Sequence, residues 1–123
     1  MNKDFVPYKE ALALRDLGYK GDIIGMYDED KDLFTLHEQD DIEDEWLPAP
    51  LYQQAFRWFR EKYDIISVIY RVGDDYVFGF DTTGAFNNNP TYEEAELACL
   101  TKLIEIVELN QNKDETDSSR NFI

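Results

Sequence analysis

The apolar positions of this chain fall into blocks, some spaced for helices and some for strands. Between Tyr52 and Tyr63, "YQQAFRWFREKY", the residues Tyr52, Ala55, Phe56, Phe59 and Tyr63 recur at i, i+3, i+4, i+7 and i+11. That spacing lines one face of an α-helix. Leu51 and Trp58 flank the face, while Gln53, Arg57, Arg60 and Glu61 occupy the other side. Five aromatic rings and three basic residues in twelve positions also suit a surface that grips nucleic acid. A base-stacking platform needs rings and cations together, and here the helical wheel separates them. The pattern therefore predicts a core helix.

The other blocks are read in the same way. A first helix is expected from Tyr8 to Leu17, with Pro7 at its start and Gly18 as the left-handed residue that ends it. "DIIGMY" (22–27) and "LFTL" (33–36) predict short strands around the polar turn "DEDKD". "LPAP" (47–50) breaks whatever precedes it, because each residue before a proline is pushed out of the helical region. "IISVIYRV" (65–72), the turn "GDD" and "YVFGFDT" (76–82) predict a hairpin rich in β-branched and aromatic residues. "TGAFNNNP" (83–90) reads as a loop, and "TYEE" as a capping box opening a last helix that runs to about Leu109.

The expected fold is thus α+β, in the order helix, two strands, helix, two strands, helix. Three helices pack with about four mostly antiparallel strands in one domain, residues 1–109. Residues 110–123, "NQNKDETDSSRNFI", are almost without apolar side chains and are expected to be a disordered tail. "PYKEALALRDLGY" and "PLYQQAFRWFREKY", each closely followed by "DII", also leave open a duplicated helix–hairpin unit.

Composition narrows the function. Among 123 residues there are 27 acids against 12 bases, a formal charge of −15, which opposes direct binding to nucleic acid or an anionic membrane. No apolar run approaches the ~20 residues of a membrane span, and no signal-like leader opens the sequence. The single cysteine allows no internal disulfide, so a cytoplasmic setting is expected. Catalytic chemistry is poorly supplied. There is one histidine, His37, set among carboxylates, and Cys99 falls on the inner stripe of the last helix. No glycine-rich phosphate loop is present. Asp28, Asp30 and Asp32 imitate the start of a calcium loop, but the sixth and twelfth positions, where Gly and Glu are required, are Leu33 and Gln39. No cofactor or metal is expected, and the protein is read as a non-enzyme.

Two features suggest partners. Residues 28–45, "DEDKDLFTLHEQDDIEDE", hold ten acids and one lysine. Asp28, Asp30, Asp32, Glu38, Asp40, Asp41, Glu43, Asp44 and Glu45 are the candidate contacts to a basic surface of another protein; a purely solubilising role is the other reading. Fully extended, the segment would span roughly 60 Å and carry one charge per ~6 Å, against one per about 1.7 Å of axis in duplex DNA. It would need help from Glu93, Glu96, Glu105 or Glu108 to imitate a duplex. The second feature is the last helix. Tyr92, Ala95, Cys99, Leu103 and Ile106 make one apolar stripe; Leu97, Leu100, Ile104 and Val107 make another beside it. The second stripe is either covered by another helix or forms a subunit interface of a homodimer.

"FVPYKEALALRDLGY", "APLYQQAFRWFREKY" and "YEEAELACLTKLIEIVE" together resemble a group of uncharacterised short proteins encoded by phages and prophages of Bacteroidetes-type bacteria. The resemblance covers the three helices and leaves out the hairpins and the acidic segment. It implies a small accessory protein of a mobile element that binds a host component, such as an antiviral defence protein of the CRISPR type. It carries over no functional residue. The alternatives are a small enzyme or a nucleotide- or metal-binding protein without a recognisable motif, or a domain that serves assembly alone.

Overall fold

The computed structural model describes residues 2–21, 23–36, 42–81, 83–85 and 88–121. A 3-10 turn, Asn2–Asp4, leads into α1 (Tyr8–Asp16), β1 (Gly25–Tyr27), β2 (Leu33–Thr35), β3 (Leu47–Ala49), α2 (Tyr52–Tyr63), β4 (Ser67–Val72), β5 (Asp75–Phe80), β6 (Thr83–Ala85) and α3 (Tyr92–Asn121). The fold is α+β with three helices, as expected. Among the described residues, however, six strands replace the anticipated four, and they form two antiparallel sheets, ordered β2-β1-β3 and β4-β5-β6.

Both additional strands lie where the sequence reads as irregular. Leu47–Ala49 pairs with β1, setting Pro48 opposite Met26. Proline is tolerated because β3 is an edge strand, where the missing N–H interrupts no ladder. Thr83–Ala85 pairs with β5 across a register irregularity between Gly79 and Phe80, and Asn89 exchanges backbone hydrogen bonds with Tyr76 at 2.7 and 2.8 Å. Neither segment alternates apolar and polar residues, so only the neighbouring strand defines it. The two sheets differ in order: β1, the first strand, is central in one, and β5, the second, is central in the other. That difference speaks against a duplicated unit.

Local signals explain the element ends. Gly18 adopts φ 94°, and the Tyr19 N–H reaches back to the Leu14 carbonyl at 3.0 Å, closing α1. Gln54 Oε1 accepts the Leu51 N–H at 2.9 Å at the start of α2. Thr91 Oγ1 accepts the Glu94 N–H at 3.1 Å, as the T-x-x-E spacing predicts. α3 is helical past Leu109 to Asn121, where disorder was expected from Asn110. The sequence there has no glycine or proline to stop it, and extending an existing helix costs far less than starting one.

One core joins all parts. Phe5 and Val6, Leu14 of α1, Tyr27 of β1, Phe59 of α2, Phe78 and Phe80 of β5, and Leu100 and Leu103 of α3 belong to a single buried cluster. α3 is the central element, in contact with β4, β5, α1 and α2. Among the described residues no helix is long and apolar enough to cross a membrane.

Candidate functional site

The described acidic residues of segment 28–45 converge at one end of the sheet β2-β1-β3. Register brings them there. Tyr27 pairs with both Leu33 of β2 and Leu47 of β3, so the chain leaving β1 runs beside the chain entering each neighbour. The β1–β2 turn is held by Asp28, whose Oδ1 accepts the N–H groups of Asp30 and Asp32, both at 2.9 Å. Lys31 takes φ 67° to close it and sets its ammonium 5.2 Å from the centre of the Tyr8 ring. On the β3 side, Trp46 meets Phe34 edge-on with ring centres 4.8 Å apart, and its N–H bonds the Glu43 carbonyl at 3.1 Å. That ring contact ties Trp46, just past the acidic segment, to Phe34 of β2.

Two carboxylate triads result. Oxygens of Asp28, Asp30 and Asp32 lie within 4.8 Å of one another, and so do those of Glu29, Glu43 and Glu45. All except Asp28 are exposed, and Asp44 is exposed beside them. The second triad joins Glu29 to two residues fourteen and sixteen positions further along the chain. Glu29 was not among the residues singled out from the sequence; it becomes part of the site only because β3 exists. Glu38, Asp40 and Asp41 lie outside the described residues. Hard cations favour such oxygen sets, but Asp28 Oδ1 already serves two backbone donors, and Leu33 at the sixth position of the calcium-loop pattern is in a strand.

The other candidate set must be corrected. Leu100, Ile104 and Val107 are buried within the chain, so they are not available as a subunit interface. α3 needs its broad apolar surface because it packs against two strands and two helices at once. Leu97 alone stays half-buried, at the rim of a groove of about 540 Å³ between α1 and α3 that Ala13, Thr101 and Ile104 also line.

A second acidic cleft went unnoticed as a unit. Asp4, Tyr52 and Glu96 line a depression of about 260 Å³. Burial, with Glu93 and Asp4 nearby, pushes the Glu96 carboxyl above its ordinary range, and burial likewise raises the Tyr52 phenol. Glu93 itself pairs with Lys3 at 3.7 Å. The sequence places these residues far apart, and no pattern links them. Cys99 is fully buried, and burial pushes its thiol up to about 12, so it behaves as a small apolar side chain rather than a nucleophile.

Chemically, the arrangement supplies a concentrated, exposed negative surface. It presents neither a paired acid and base nor an activated nucleophile among the described residues. No protein-family model, curated protein or solved structure gives a significant match to this chain.

Proposed function

We propose that this is a non-enzymatic acidic binding protein of a phage or mobile element, whose acidic face occupies a basic site on a host protein that handles nucleic acid. A defence protein of the CRISPR type is the kind of target meant, encountered in the host cytoplasm. The observation that supports the reading most is the Glu29–Glu43–Glu45 triad, with three carboxylates mutually within 4.8 Å. An extended acidic segment would be far more dilute. Gathering exposed like charges is unfavourable in the free protein, and a cationic partner relieves it. Such a partner also gains a faster encounter through electrostatic steering. The resemblance of the three helices to phage-encoded proteins supplies the biological setting.

The test begins with affinity capture from host lysate at low and high salt, followed by binding kinetics with the purified target. Replacing Glu29, Glu43 and Glu45 by Gln should lower the association rate roughly tenfold or more and flatten its salt dependence. The same number of neutralisations at the exposed Asp16, Asp74 and Glu94 should do much less. Equal effects from both sets, or no effect from either, would overturn the reading.

A further inference from the structure

We infer that β4 is a self-pairing edge through which two copies of this chain join their sheets across a two-fold axis. β4 is the outer strand of β4-β5-β6, and among the described residues no strand pairs with its far edge. Exposed edge strands of this length are ready templates for another chain.

The backbone parity is fixed by the hairpin. Ser67–Val72 pairs with Asp75–Phe80 in continuous antiparallel register, Val72 opposite Asp75 and Ser67 opposite Phe80. One step further on, the Asp81 N–H donates to the Ile66 carbonyl at 3.0 Å. In an antiparallel ladder hydrogen-bonded pairs alternate. Ile66, Val68, Tyr70 and Val72 therefore turn their backbone groups toward β5, and Ser67, Ile69 and Arg71 turn theirs outward.

The side chains agree with that parity. Ile66, Val68, Tyr70 and Val72 are 42, 50, 43 and 49 % exposed and share the face of the sheet away from α3. An antiparallel pair centred on Ile69 sets Ile69 against itself and Ser67 against Arg71, all with outward N–H and C=O groups. It sets Val68 against Tyr70 and Ile66 against Val72, so every exposed apolar residue gains an apolar neighbour across the axis. β-branched and aromatic cross-strand pairs are the stabilising kind. This sequence is thus self-complementary in a register that its backbone permits, which is the signature of an isologous contact. On the helix side, β4 borders a groove of about 400 Å³ lined by Phe56, Arg57 and Arg60 of α2 together with Ile69 and Tyr92.

Charge opposes a second copy less here than elsewhere. β4 contains Arg71 and no acid, in a chain of formal charge −15, so it is one of the few surfaces where two copies can approach. At the ends of the pair Asp64 comes opposite Asp74, so the contact should strengthen as salt is added. A contact built on one strand falls short of the ~800 Å² per partner of stable complexes, and dissociation in the micromolar range is expected.

Sedimentation of the full chain from micromolar to sub-millimolar concentration tests this, using two variants with exposed substitutions. Val68→Lys with Tyr70→Lys places like charges opposite each other and should leave a monomer at every concentration. Val68→Lys with Tyr70→Glu places opposite charges across the axis and should restore the dimer, while circular dichroism shows both variants folded. A monomeric parent chain, a dimer indifferent to the double lysine variant, or equal loss in both variants would each overturn the inference. Acidic-face binding tests read a different surface, so either result can fail without the other.

Discussion

Within α2, two neighbouring phenylalanines carry unequal weight. Phe59 is fully buried and meets both Trp58 and Tyr63 with ring centres 5.1 and 5.9 Å apart, whereas Phe56 is half-buried at the wall of a groove. Phe59→Ala should lower the unfolding free energy by about 3–5 kcal/mol, and Phe56→Ala by distinctly less, in chemical denaturation. Across the helix, Arg57 Nε bonds Glu61 Oε1 at 2.8 Å between exposed side chains. An exposed pair one turn apart is screened by water and contributes little to stability. Replacing Arg57 and Arg60 by Gln should therefore shift stability by less than about 1 kcal/mol and leave binding of RNA or DNA at low salt unchanged. Micromolar binding that disappears in the double variant would show that the stretch grips nucleic acid after all.

α3 behaves as a buried central helix over its packed length. Its first stripe meets the second sheet, where Tyr92 contacts Tyr76 with ring centres 5.8 Å apart; its second stripe is buried through Leu100, Ile104 and Val107. Leu100→Ala should cost about 2–5 kcal/mol without altering the concentration dependence of the oligomeric state. Selective loss of association, with stability preserved, would reinstate α3 as an interface. The strands show the complementary case. β4 and β5 are legible from their residues because six-residue runs of β-branched and aromatic side chains surround a two-residue turn, in which Gly73 supplies φ 63°.

At the scale of the whole molecule the dominant quantity is charge. A formal −15 on 123 residues sets the folded state against its own repulsion, and each of the two carboxylate triads adds to it. Screening at ~0.15 M salt acts beyond about 8 Å. The melting temperature should therefore rise from low salt to that concentration, and the Glu29, Glu43 and Glu45 to Gln variant should melt higher at low salt with a smaller response. A melting temperature that falls as salt is added would contradict this. Stability and target binding are thus predicted to respond to salt with opposite signs.

Periodicity and local chemistry determined much from the sequence alone. The 3.6-residue spacing of Tyr52, Ala55 and Phe59, the glycine after Leu17, the T-x-x-E cap and the Gly73 hairpin each depend on neighbours within a few positions, where sequence and physics coincide. Tertiary structure decided the rest because it depends on partners distant in sequence. β3 exists through pairing with β1 despite Pro48, and β6 through pairing with β5. The same pairing with β1 brings Glu43 and Glu45 to Glu29, turning a diffuse acidic run into a compact surface. Whether an apolar stripe is interior or interface is likewise undetermined by the stripe itself: Leu100 and Val68 are both apolar, and only packing buries one and leaves the other half exposed.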